Sequence, residues 1–260
     1  MEHASNPAGR LWQFTAHTLN AGQRSDLRST WSTYLDTNND VAYYRAMAEV
    51  LALPGQIKDE VAKLSDPVLP ASVLTRPLDS IQKVIADDIA GRNIVQWFTQ
   101  QINLAHLNDL EACSHVLERD RADAVVTKNT LDEIRSLAQD IVDSVLSSSD
   151  LDDDTRETLL RYAYRLIEAC ALYRVRGAQA LRDELDRFVA SAVREKVKER
   201  VPSALWTKIN TVSATVLMAV QLLTAPADLG QAIETYQGFL ELPASVEAPS
   251  SDIDPSSPTT

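Results

Sequence analysis

Arg10 and His17 are a pair whose types and spacing suit a reaction: they stand seven positions apart, about two helical turns, so one helix face carries both. A guanidinium placed there holds a phosphate or carboxylate, and an imidazole moves a proton near neutral pH. His106 and Cys113 repeat that spacing and would suit a shared metal ion, but His115, two residues beyond Cys113, points well away from it. No metal site is expected from this set. Two runs of alternating oxygen ligands look like calcium loops and fail at the diagnostic positions. After Asp36, Asn38 and Asp40 the sixth position is Val41 and the twelfth Met47; after Asp150, Asp152 and Asp154 they are Thr155 and Arg161. Acids at a helix start explain the second run better. No cofactor is expected, because Gly9, Gly22, Gly55, Gly91, Gly177, Gly230 and Gly238 are single and widely spaced and build no phosphate-cradling loop.

The spacing of Arg10 and His17 resembles the Arg-x4-6-His signature of HEPN-type ribonucleases, with Leu11 where that family usually has a polar residue. The resemblance covers eight residues and implies a ribonuclease in which the pair handles the scissile phosphate. The charge balance points elsewhere. With 37 acidic against 25 basic residues the net charge is −12, so a phosphate backbone is repelled on average and nucleic acid is not an expected partner. Cys113 and Cys170 both fall inside helical patterns, which reads as reduced, buried thiols in a cytoplasmic protein. The start, MEHASNPAGR, has no apolar segment behind a basic one, so no secretory signal is expected and the protein reads as bacterial and cytoplasmic.

The elements that must position these residues are helices. The clearest trio lies between Thr130 and Arg200. Thr130 and Glu133 suggest a capping box ahead of the stripe Leu131, Ile134, Leu137, Ala138, Ile141 and Val145. A central helix from about Asp154 to Arg176 carries Leu159, Ala163, Leu166, Ile167, Cys170 and Ala171 on one face, with acids at its start, bases at its end and Gly177 as its stop. Ala178 to about Lys198 gives the third, facing Leu181, Leu185, Phe188, Val189, Ala192 and Val193 inward. Upstream, shorter helices carry Leu11, Trp12, Phe14 and Leu19, then Leu27, Trp31 and Tyr34 or Leu35. A helix from Asn39 to Leu53 with Val41, Ala48 and Leu51 inward is expected to end at Pro54 and Gly55, with another from Gln56 to Leu64 that turns Ile57, Val61 and Leu64 inward. Pro67, Pro70 and Pro77 mark an extended linker, and Pro77 opens a helix with Leu78, Ile81, Ile85 and Ile89 inward. Asn93 to Asp120 reads as continuing helix despite a β-like pull at 93–99. The expected architecture is an all-α, irregular multi-helix bundle with long antiparallel helices in the C-terminal half. Its divisions are a disordered start at 1–9, a helical region at 10–126, a bundle at 127–242 and a disordered Pro/Ser/acid tail at 243–260.

Residues 209–227 carry no charge, with Arg194, Lys196, Lys198, Arg200 and Lys208 before them and Asp228 and Glu234 after. That asymmetry suits a membrane span with its carboxyl end outside. Asn210, Thr211, Ser213, Thr215, Gln221, Thr224 and Pro226 stand against it, because polar groups need partners in lipid. A helix half covered by its own domain is the expectation, with Val212, Val216, Ala219, Val220 and Leu223 on the core side. Its candidate binding face is Asn210, Ser213, Leu217, Gln221 and Thr224. The function expected from all this is a non-enzymatic helical module that binds a protein partner or self-assembles as a homo-oligomer. The alternative is a membrane-acting effector that releases helix 209–225 on a trigger, and a third is the ribonuclease of Arg10 and His17.

Overall fold

The computed structural model describes residues 6–65, 69–120, 125–197 and 200–221. Among them the chain is all-α: α1 (Pro7–Asn20), α2 (Leu27–Leu35), α3 (Asp40–Ala62), the single turn α4 (Ala71–Leu74), α5 (Leu78–Asp87), α6 (Val95–Gln101), α7 (Leu104–Asp120), α8 (Lys128–Ser147), α9 (Asp153–Ala171), α10 (Tyr173–Val197) and α11 (Ser203–Gln221). The expected tail at 243–260, most of the start and part of the proline linker lie outside the described residues.

Helix starts follow from short polar side chains that accept from otherwise unpaired amides. Asn6 takes the Gly9 N–H at 3.0 Å, Asp26 that of Ser29 at 2.7 Å, Asn39 that of Ala42 at 2.9 Å and Asp152 that of Thr155 at 2.9 Å. Such caps contribute about 1 kcal/mol each. The cap of α8 is displaced from the expected box. The N-cap is Thr127, whose hydroxyl accepts the Thr130 N–H at 3.2 Å, so Thr130 stands inside the first turn and does not cap Glu133; nothing in Lys128 and Asn129 stops the helix from starting earlier.

Three further boundaries differ. α3 runs straight through Pro54, which was expected to end it. Leu53, Pro54, Ile57 and Val61 are all buried on one side, so packing outweighs the one amide that the proline removes. Gln82 Nε2 meanwhile donates to the Leu51 carbonyl in the preceding turn, at 3.0 Å. The stretch expected as one helix from 93 to 120 is broken twice. Ile94 is extended and bridges Asp26, with Leu27 N–H on the Asn93 carbonyl and Val95 N–H on the Ser25 carbonyl, both at 2.9 Å. Ile102 is extended again, and the Asn103 carboxamide oxygen accepts from Ala105 N–H at 3.0 Å as α7 begins. Third, α9 ends at Ala171, short of Gly177. One separate turn follows before Gly177, at φ 77° and ψ −175°, breaks the path into the long part of α10.

The buried side chains form two clusters. The first joins α1–α7 around Leu11, Phe14, Trp31, Tyr43, Ile57 and Phe98. The second joins α8–α11 around Ile134, Leu159, Leu166, Phe188, Val212 and Val216. Leu172 and Val175 belong to the first and Tyr173 and Ala178 to the second, so the turn ahead of Gly177 is buried on both sides.

Candidate functional site

The first turns of α1 are buried, and Arg10 with them, at 7% exposure. Its Nε donates to the Val175 carbonyl at 2.8 Å. Its guanidinium fills the room left by Gly177: a Cβ there would sit 2.4 Å from Arg10 Nη1. His17, two turns on, packs its ring 5.2 Å from that of Tyr34. Arg10 lines a cleft of about 390 Å³ with Asn6, Gln56, Lys63, Arg176 and Asp183, and His17 is not part of its lining. The two side chains share a helix, but the cleft that Arg10 lines is not lined by His17.

The other sequence candidates are spread in the same way. His106 Nδ1 lies 2.9 Å from Asn103 Oδ1 at the start of α7, and His115 lies 3.7 Å from Glu118. Cys113 is buried, and burial pushes its thiol up to about 11. Among the described residues, no three of His, Cys, Asp and Glu are grouped to hold a metal ion. Asp40 pairs with Arg28 at 2.7 Å, and Asp36 ends α2 in the left-handed region. Asp152 caps α9, and the Thr155 N–H holds its carboxyl below the usual range.

On α11 the expected face turns sideways. Asn210 and Leu217 are half-buried, and Ser213 is 3% exposed with its hydroxyl donating to the Ile209 carbonyl at 2.7 Å. Gln221 is the last residue of the helix, and Thr224 lies outside the described residues. Ile209, Val212, Val216 and Val220 are buried in the second cluster. The solvent side is a neighbouring stripe of Ala204, Thr207, Thr211, Ala214 and Met218, all exposed, with Met218 at 62%. It recurs at three- and four-residue steps and carries no charge; Lys208 beside it is drawn to Ser144 Oγ at 2.6 Å. A polarity pattern alone missed this stripe, which differs from the expected face by a single helical step at 211, 214 and 218. The signal available in the sequence was the run of small residues at that spacing.

Among the described residues, no helix is long and apolar enough to cross a membrane. Compared with protein-family models, curated proteins and solved structures, the chain matches none.

Proposed function

We propose that this chain is a helical protein-interaction module, without a catalytic role, that docks a helix of a partner protein on the outer face of α11. The observation that carries the reading is the uncharged solvent-facing stripe from Ala204 to Met218, in a chain of which 24% is charged. Small side chains let a second helix approach closely, and a flexible thioether adapts to its surface. The inner side of the same helix is anchored in the second cluster, so the stripe is presented on a fixed support. Two free, buried cysteines suit action in the reducing cytoplasm.

The test is photo-crosslinking in the expressing cell with p-benzoylphenylalanine in place of Met218, against the same group in place of exposed Gln139 on α8. The expected result is one discrete adduct from position 218, absent from 139 and lost in the Ala214→Glu variant. No adduct at 218 above that at 139 would overturn the reading. The mass of the adduct tells a foreign protein from a second copy of this chain.

A further inference from the structure

A second helix face is unpartnered, and its geometry is different. On α3 the exposed positions Val41, Tyr44, Ala48, Ala52 and Gly55 form one stripe, with Val41 at 71% and Tyr44 at 44% exposure; Val41 and Ala48 were expected to face inward, but the core side of the helix is taken by Tyr43, Ala46, Met47 and Val50. Their spacing is symmetric about Ala48: Tyr44 and Ala52 lie four residues to either side of it, and Val41 and Gly55 lie seven to either side. The two large side chains stand at one end and the smallest at the other. A Cβ added to Gly55 would meet nothing within 4 Å, so that end is an open notch.

Two of the charges beside the stripe are paired with other helices, Arg28 stacks 5.2 Å from the Tyr44 ring, and exposed Asp59 continues the stripe one turn beyond Gly55. Arg45 pairs with Glu168 on α9 at 2.8 Å, and Glu49 with Arg176 on α10 at 2.6 Å. From Val41 to Gly55 the five stripe positions themselves carry no charge, in a chain of net charge −12 that otherwise resists meeting its own kind.

We propose that α3 is the interface of a two-fold homodimer, in which it packs antiparallel on α3 of a second copy about Ala48. The occupant follows from self-complementarity, because a two-fold contact places the same patch against itself. Antiparallel pairing about Ala48 sets Val41 against the notch at Gly55 and Tyr44 against Ala52, large into small at both ends. A parallel pairing sets Tyr44 against Tyr44 and leaves two notches unfilled. The antiparallel register also brings Asp40 of each copy to within two residues of the position opposite Lys58 of the other. Asp40 is 86% and Lys58 46% exposed, in surface pairs with Arg28 and Asp79 that contribute little and exchange readily. The seam is about 21 Å long at 1.5 Å per residue. A contact of one helix pair falls below the ~1,600 Å² of a standard interface, so the dimer is expected to dissociate in the micromolar range.

This surface is separate from that of α11, and the two fail separately. Sedimentation velocity over a micromolar concentration series is expected to show a monomer–dimer equilibrium in the full chain. Ala48→Glu, which sets two carboxylates face to face on the two-fold axis, is expected to give monomer at every concentration with unchanged circular dichroism. Ala48→Cys is expected to form a disulfide-linked dimer on mild oxidation, and Gln139→Cys to form at least tenfold less. The native thiols do not interfere, since Cys113 and Cys170 are buried. A chain that is monomeric throughout, or an Ala48→Cys that links no better than the control, overturns the proposal. Association that survives Ala48→Glu and is lost with Ala214→Glu also overturns it, and assigns self-association to α11 instead.

Discussion

Gly177 joins backbone conformation, packing and charge at one position. Its φ of 77° with ψ of −175° lies in a region that side chains other than hydrogen rarely enter, and Arg10 occupies the space a methyl would take. Gly177→Ala therefore has two costs, backbone strain and displacement of a buried guanidinium that donates to Val175. A loss of about 2–3 kcal/mol is expected in urea unfolding. In an Arg10→Ala background the steric part disappears, so the same substitution should cost about 1 kcal/mol less there. Equal costs in both backgrounds would show that the guanidinium is not what the glycine accommodates. That a glycine was required at 177 is legible in the sequence, from the bases before it and the apolar pattern on either side. That its reason is a residue 167 positions upstream is not, because no local pattern encodes a contact at that separation. The same holds for Asn6 on Ser114, Arg45 on Glu168 and Arg176 on Glu49. For Arg10 and His17 this limit decided the site: spacing set them on one helix, while the partners that bury Arg10 in a seam and set His17 on Tyr34 came from distant segments.

At the scale of elements, legibility followed the strength of the apolar period. The stripes of α8, α9 and the long part of α10 were each readable, and Ile134, Ala138, Leu159, Ala163, Leu181 and Leu185 are buried as their spacing requires, whereas Ala171 at the end of α9 and Val41 and Ala48 on α3, expected inward, are exposed. Punctuation was read less well. Pro54 is a strong local stop, yet tertiary burial carried α3 past it, whereas the break at Ile102 and Asn103 has no proline or glycine to announce it. On α11 the period assigned the inner face at Val212, Val216 and Val220, which are buried, while Ala219 is half-buried and Leu223 lies outside the described residues. Its polar residues did not mark the outer face, because a serine can satisfy its hydroxyl on the helix's own carbonyl, as Ser213 does, and so be buried without a partner elsewhere. A pair of substitutions two residues apart checks this orientation. Val216→Asp buries a carboxylate in the second cluster and is expected to lower stability by about 3–5 kcal/mol or abolish folding. Met218→Asp, on the exposed stripe, should stay within about 0.5 kcal/mol of wild type. If the two variants melt alike, α11 is not seated as described.

For the whole molecule, the two buried clusters share a dependence on alkaline pH that composition alone does not disclose. A net charge of −12 suggests repulsion that grows steadily with pH. The structure adds a sharper effect from groups that burial keeps neutral. Desolvation raises Cys113 to about 11 and Cys170 to about 12, against an ordinary thiol value of 9.0. Tyr34 is raised to about 12 from 10.0, against the opposing influence of Arg174 and Arg10, and Tyr43 is raised as well. In each case the native state holds its proton more tightly than the unfolded chain. Well below the ordinary thiol value of 9.0 both states are protonated, and these groups give stability no pH dependence. Above that, the unfolded thiols and then the phenols lose protons that the native state keeps, so unfolding releases protons and rising pH drives it. The stability lost is about 1.4 kcal/mol per pH unit for each proton released, until the native groups themselves titrate near pH 11–12. Urea midpoints are therefore expected to be flat from about pH 7 to about pH 8.5 and to fall steeply by about pH 10.5. The double variant Cys113→Ala, Cys170→Ala removes one proton source from each cluster. It should start less stable at pH 7, because two small cavities are opened, yet lose less between about pH 8.5 and about pH 10.5 than wild type does. General charge repulsion is the same in both proteins, so equal alkaline slopes would assign the loss to net charge rather than to the buried thiols.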